Sequence, residues 1–342
     1  MTARRDKMGR KKIGVIGTGR IGKLHIQNII SHIPDLQIVA VADIAIEDNR
    51  NWLESIGVTE LYVDYRDVLS KPEVDAVIIA SATDTHTPIA VDAAIAGKHI
   101  FCEKPIDRTI ENNEKVLKAV QDAGVLFQTG FNRRFDHNFS RIRQLVEDGS
   151  VGDVQIIRVT SRDPAPPPID YVKVSGGLFM DMMIHDFDMV RYVSGSEVMR
   201  VTALGANLID PRIGEVGDVD TAVVALELEN GALAVIDNSR QAVYGYDQRL
   251  EVFGSKGQVI AGNDTPNNVE YYSSDSISRD KIYDFFLDRY PDAYVNQFKA
   301  FARALNGEIE VPVGIIDGLR ATQISLAAGR SLREGKSITM LY

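Results

Sequence analysis

The segment Gly17-Thr18-Gly19-Arg20-Ile21-Gly22 constrains this chain more than any other feature. It follows a short apolar run at 13–16 and precedes an amphipathic stretch at 22–31, so the glycines stand where a strand hands over to a helix. There the first glycine permits the tight turn, the second lets the backbone approach a pyrophosphate, and the third lets helix and strand pack closely. The unpaired N–H groups at the helix start then face the phosphates. Such a run is often only a turn. The strand before it, the helix after it and the repeating pattern beyond it make this one the opening of a dinucleotide-binding fold.

That pattern continues to about residue 130. Apolar runs at 36–42, 76–80, 99–102 and 125–129 alternate with helical stretches at 88–96 and 111–123, closed by Gly97 and Gly124. This is how a parallel sheet with crossover helices reads. The run 76–80 is apolar throughout, which suits a strand covered on both faces. Beyond 150 the strands lengthen and alternate, as in Arg249-Leu250-Glu251-Val252, with turn signals at Asn230-Gly231 and at 254–257. Helices are expected at 176–193 and 314–333, and the four prolines within 163–168 make a stiff extended loop. The fold class is therefore α/β, a Rossmann dinucleotide-binding domain at 12–130 followed at 131–342 by an α+β domain with a large, mostly antiparallel open sheet.

A length of 342 residues fits two domains at roughly 150 residues each. The net charge of -10 should repel a nucleic-acid backbone. Arg4, Arg5, Lys7, Arg10, Lys11 and Lys12 face only Asp6, and residues 1–11 read as a disordered basic tail, with a contact to nucleic acid or an anionic surface as the alternative. Cys102 is the one cysteine, which leaves no intramolecular disulfide and no cysteine zinc site; it reads as a small buried hydrophobe rather than a reactive thiol. No uncharged apolar run approaches the roughly 18 residues of a membrane span and no signal peptide is evident, so no membrane partner and a cytoplasmic location are expected.

Asp43 ends the second predicted strand, where a carboxylate can accept hydrogen bonds from ribose hydroxyls and repel a 2'-phosphate. Ile44 and Ala45 follow it rather than an arginine, which favours NAD over NADP. Lys104, beside Glu103 at the end of a buried strand, can donate to a substrate hydroxyl and stabilise the oxyanion as a hydride leaves; a surface ion pair is the plain alternative. Asp181 and His185 are four apart in the expected helix 176–193, which would put both on one face, the imidazole to take a proton and the carboxylate to orient it or contact a neighbouring hydroxyl. An ordinary helix-surface pair, or a metal site built from Asp181, His185, Asp186 and Asp188, remains open at this point.

In Gly17 to Gly22, Asp75-Ala76-Val77-Ile78-Ile79, Thr83-x-x-His86, Ala96-Gly97-Lys98-His99 and Glu103-Lys104-Pro105, in that order and spacing, the chain resembles the glucose-fructose oxidoreductase, inositol dehydrogenase and MocA family. The stretches Ser161-Arg162-Asp163-Pro164 through Ser175-Gly176-Gly177, and Tyr244 to Arg249, resemble its inositol 2-dehydrogenase branch. The resemblance implies a cis Lys104–Pro105 bond, and Lys104, Asp181 and His185 as the catalytic group. It also implies cofactor contacts from Gly17, Gly19, Arg20, Ile21, Gly22, Asp43, Ser81, Thr83, His86, Glu103 and Lys104. Substrate contacts would come from Lys104, Asp181 and His185, joined by Arg134 and Tyr244, either of which could instead be a packing or ion-pair residue. The implied activity is NAD-dependent oxidation of myo-inositol or a close isomer to the inosose, without a metal, in a homotetramer. Another sugar or polyol as substrate, or a dinucleotide sensor that has lost catalysis, are the alternatives.

Overall fold

The computed structural model describes residues 9–342. The expected tail therefore lies outside the described residues up to position 8, and Lys11, assigned to it, is instead the first residue of a strand.

In chain order the first part runs β1 (Lys11–Ile16), α1 (Arg20–His32), β2 (Leu36–Ala42), α2 (Arg50–Ser55), β3 (Leu61–Tyr62), α3 (Tyr65–Leu69), β4 (Ala76–Ile79), α4 (Thr83–Ile95), β5 (His99–Cys102), α5 (Ile110–Ala123) and β6 (Phe127–Thr129). The strands form one parallel sheet in the order β3-β2-β1-β4-β5-β6. The order reverses between β1 and β4, and ligands of such sheets bind beyond the strand carboxyl ends at that switch point. All four residues of β4 are buried, as an apolar run covered on both faces requires. Helix α4 starts at Thr83, before the expected 88, with Pro88 inside it; Ala82, extended just before the first turn, takes the N-cap place instead. Gly124 closes α5 in the left-handed region at φ 63°.

The second part runs α6 (His137–Glu147), β7 (Val154–Arg162), α7 (Ile169–Ser175), α8 (Gly177–Asp181), α9 (Ile184–Ser194), β8 (Val198–Ala206), α10 (Pro211–Glu215), β9 (Thr221–Leu228), β10 (Leu233–Ser239), β11 (Asp247–Gly254), β12 (Gly257–Ala261), β13 (Glu270–Tyr272), β14 (Ile277–Arg279), α11 (Phe286–Arg289), α12 (Pro291–Leu305), α13 (Ile315–Glu334) and β15 (Ile338–Thr339). Its main sheet has the order β12-β11-β7-β10-β9-β8-β15. Neighbours are antiparallel except β7 and β10, which run parallel. Burial alternates along β9 and β10, so one face carries Ala222, Val224, Leu226, Ala234 and Ile236 into the core and the other presents Val223, Leu233 and Val235.

Two features depart from the sequence reading. A cut at 130 into two continuous domains is replaced by two compact units, the described residues up to Asn132 with Tyr294–Arg320, and Arg133–Ala293 with Ala321–Tyr342. The cause is α12, a helix the sequence reading passed over. Its Val295, Phe298, Phe301, Ala302 and Leu305 complete the core of Ile13, Val15, Ile26, Ile78 and Phe101 in the first unit. Nor is the expected helix 176–193 continuous. It breaks at Met182 and Met183, where the Met183 N–H reaches back to the Leu178 carbonyl at 2.9 Å, one residue further than an α-helical bond. Asp181 thus ends α8 while His185 is the second residue of α9, and the simple one-face argument for the pair does not hold.

Candidate active site

In the first unit the glycines do what their spacing requires. Gly17 adopts φ 100°, and a Cβ there would lie 2.5 Å from the Ser81 nitrogen and 2.6 Å from the Ala80 carbonyl. A Cβ on Gly22 would strike the Gly17 carbonyl oxygen, whereas one on Gly19 would meet nothing within 4 Å. Gly17 and Gly22 therefore let strand, turn and helix close on one another, and Gly19 leaves its surroundings open for a phosphate. Helix α1 starts at Arg20 and Ile21 with no side chain capping its N–H groups, the donor set a pyrophosphate takes.

Asp43 is tied to this turn. Its Oδ2 accepts from the Thr18 N–H at 2.5 Å and the Thr18 hydroxyl at 2.8 Å, and its Oδ1 accepts from the Ala45 N–H at 2.8 Å. Asn49 donates to the Thr18 hydroxyl at 2.8 Å, so the carboxylate is held at the end of β2 by a short network. Carboxylate oxygens have lone pairs left for ribose hydroxyls after these bonds. The residues present fit a dinucleotide.

At the end of β5 the Lys104–Pro105 bond is cis, as the resemblance implied. The Lys104 N–H donates to Glu103 Oε2 at 3.3 Å. The other carboxylate oxygen of Glu103 meets Nε2 of His25 at 2.7 Å, a ring on α1 with no exposure, set against Phe101 and Phe298. Gly130 lies against the Glu103 carboxylate, and a Cβ there would come within 2.9 Å of it. The sequence reading missed His25; the signal was a histidine three residues past Gly22, on the face of α1 that buries Ile26 and Ile29.

His86 takes a different place from the one implied. Its ring is 1% exposed, with Nδ1 2.9 Å from the Pro105 carbonyl and Nε2 3.1 Å from the Ser81 carbonyl. Burial holds its pKa below the usual histidine range. With a backbone carbonyl beside each nitrogen, only one of which a neutral ring can donate to, His86 sits between the Lys104–Pro105 loop and the turn after β4. Ser81 and Thr83 flank that turn, and the Ser81 hydroxyl meets the Thr85 hydroxyl at 2.7 Å. Cys102 is fully buried, and burial pushes its thiol well above the usual range, so it is a packing residue.

In the second unit Asp181 accepts from the Tyr171 hydroxyl at 2.8 Å and pairs with Arg240 at 3.0 Å. Asp163 lies 3.4 Å from the same guanidinium. His185 is half-buried at the start of α9. The remaining carboxylates of the sequence reading go to other cations. Asp186 takes Arg133 at 2.6 Å, and Asp188 takes Arg134 through two parallel bonds of 2.9 and 2.6 Å. The four-ligand metal reading thus meets three carboxylates on three different arginines. Arg134 forks onto Asp188, with its guanidinium 5.1 Å from the Tyr192 ring centre. The Tyr244 hydroxyl donates to Asp247 at 2.7 Å and accepts from Arg162 at 3.3 Å, which places it in a surface polar network.

Comparison with known proteins agrees with this geometry. Residues 11–131 match the family described as an oxidoreductase family with an NAD-binding Rossmann fold, and residues 139–260 match the GFO/IDH/MocA C-terminal domain. The chain belongs to the GFO/IDH/MocA oxidoreductase family. Its first unit is an NAD-binding Rossmann domain, and its cofactor is NAD. An uncharacterised oxidoreductase of Bacillus subtilis is 50% identical, with 96% of each chain covered. A myo-inositol 2-dehydrogenase of Thermotoga maritima is 45% identical over 96% of this chain and 98% of its own. The crystal structure of a scyllo-inositol dehydrogenase of Lactobacillus casei, with bound NAD(H) and scyllo-inositol, superimposes with a TM-score of 0.90 at 31% identity, covering 96% of this chain and 99% of that one. No helix among the described residues is long and apolar enough to cross a membrane.

Proposed function

We propose that the protein oxidises a ring secondary alcohol of myo-inositol, or of a close isomer, to the inosose. When bound, NAD supplies the hydride acceptor, chemistry no side chain provides. His185 takes the hydroxyl proton as general base, Lys104 donates to the same oxygen and stabilises its developing negative charge, and Asp181 accepts from a ring hydroxyl. Glu103 and His25 hold the backbone of Lys104 in place. The observation that carries the reading is the 45% identity, over nearly the whole of both chains, to an enzyme named for myo-inositol. The retained Lys104, Asp181 and His185 support a working enzyme over a sensor. A homotetramer is part of the proposal, supported by the apolar side chains Val223, Leu233, Val235 and Phe253 on the outer face of the second unit's sheet.

The test is a substrate panel read by NADH formation: myo-, scyllo- and chiro-inositol beside glucose and xylose, with His185→Ala as companion. An inositol should have the best kcat/KM, because a site built to hydrogen-bond several hydroxyls is left with buried unpaired groups when one is missing or inverted. The His185→Ala variant should turn over roughly 10²-fold more slowly while still binding NAD. A clear win for glucose or xylose would sink the inositol reading, and near-normal turnover of His185→Ala would remove that residue from catalysis.

A further inference from the structure

Strands β7 and β10 are parallel neighbours, and their inward positions face each other in register as Ile157 with Ala234, Val159 with Ile236, and Ser161 with Asn238. The inward line turns from apolar to polar towards the carboxyl ends of both strands. Beyond those ends the same alternation brings in Asp163 and Arg240, with the Asp163 N–H on the Ser239 carbonyl at 2.9 Å and the Ala242 N–H on the Asp163 carbonyl at 2.7 Å. The neighbouring Arg162 and Asp237 point to the other face and pair there. Arg240 is 3% exposed, and its Nη1 alone serves two carboxylates, Asp181 Oδ2 at 3.0 Å and Asp163 Oδ2 at 3.4 Å.

Other arginines of this unit are paired differently. Arg134 and Arg191 each grip one carboxylate with two nitrogens, and Arg133 pairs with Asp186 while donating to the Ser161 and Tyr246 hydroxyls. Around Arg240 the balance is reversed. Asp163, Asp181 and Asp218 act on one guanidinium, with the Tyr171 hydroxyl on Asp181, the Leu178 N–H on Asp218, and Arg133 as the further cation acting on Asp163. Burial raises the Asp163 carboxyl above the usual range, Arg240 opposes this, and the charge of Asp181 adds to it. Burial raises Asp218 likewise. A buried excess of carboxylates costs stability, and a fold that served only stability would do better with apolar side chains. Carboxylates that accept hydrogen bonds from hydroxyl groups give such an arrangement a use.

We propose that Arg240 is a positioning residue for the oxidation, holding Asp163 and Asp181 side by side so that both accept hydrogen bonds from a polyhydroxylated ring. This rests on the reading of Asp181 given above, and it adds Asp163 to the substrate-facing groups. The sign of the pH effect follows. An opposite charge within about 4–6 Å lowers a carboxyl pKa by roughly 1–3 units, so removing the guanidinium raises the pH at which Asp163 ionises. The acid limb of kcat/KM should then move to higher pH.

The experiment compares wild type, Arg240→Gln and Arg240→Lys as full-length protein with NAD bound. Carboxyl signals of ¹³C-labelled aspartate are titrated by NMR, with Asp163→Asn and Asp181→Asn as assignment variants, and the pH profile of kcat/KM is taken with myo-inositol. For Arg240→Gln we expect an upward shift of about one unit in both the titration and the acid limb. We also expect at least a tenfold loss of kcat/KM near neutral pH and an unchanged NAD affinity. Arg240→Lys, which keeps the charge as a single ammonium, should recover most of the shift. Unchanged titration midpoints in Arg240→Gln, or in Arg240→Met should the glutamine variant not fold, would overturn the proposal. So would a melting temperature that falls while midpoints and pH profile stay put. A wild type that oxidises no inositol, combined with shifted midpoints, would instead refute the substrate reading and leave the assignment of Arg240 standing.

Discussion

Phe298→Ala tests whether α12 is part of the dinucleotide-binding core or only lies near it in sequence order. Phe298 has no exposure, its ring centre lies 4.6 Å from that of Phe101 and 4.8 Å from that of His25, and it belongs to the same cluster as Ile13, Val15 and Ile78. A fully buried Phe→Ala change costs about 3–5 kcal/mol through lost transfer energy and the cavity left behind. Its two ring contacts place Phe298 near the middle of that range, so we take about 4 kcal/mol. At 1.4 kcal/mol per decade this is an unfolding constant raised about 10³-fold. For a unit of this size it is a melting temperature lowered by roughly 8–16 °C. The assay is urea unfolding followed by tryptophan fluorescence, because Trp52 is the one tryptophan of the chain and packs against this same cluster. Ile95→Ala, on α4 and 77% exposed, is the control and should change stability by less than about 0.5 kcal/mol. Saturating NAD, at about 100 times its dissociation constant, should restore roughly 2.7 kcal/mol to both wild type and variant. A loss below about 1 kcal/mol in the Trp52 transition of Phe298→Ala would refute the assignment of α12 to this core.

Asp43→Ser removes the acceptor for the ribose hydroxyls together with the bonds to Thr18 and Ala45; we expect NAD affinity to fall at least about tenfold and the preference for NAD over NADP to narrow. Steady-state kinetics with both cofactors measure this, and a wild type that already favours NADP would refute the role given to Asp43. Light scattering should give the mass of four chains, and Val235→Glu, on the outer sheet face, should lower it by placing a charge in an apolar contact. A wild type that runs as a monomer would refute the assembly.

Where the relevant contacts were local, the sequence already determined the outcome. Gly17 and Gly22 are close in sequence, and the collision that forbids a Cβ on Gly22 is with the Gly17 carbonyl itself, so spacing and residue type were enough to identify the dinucleotide turn. The run that became β4 was visible because a strand covered on both faces is apolar without interruption. Asp43 could be placed because it directly follows the mostly apolar run of β2. Only the tertiary structure decided what depended on which distant partner a side chain meets. An amphipathic helix such as α12 shows that it has a buried face, but not that Phe101, some two hundred residues earlier, covers it. Arg134 and Arg240 are the same residue type in polar stretches of sequence, yet one fork is taken by a single aspartate and the other guanidinium is shared between two. Asp181 and His185 kept the spacing of one helix face until the single extra residue in the turn at Met183 separated α8 from α9. Backbone periodicity is encoded over a few residues; the pairing of buried charges is set by strand register and helix packing across the whole chain.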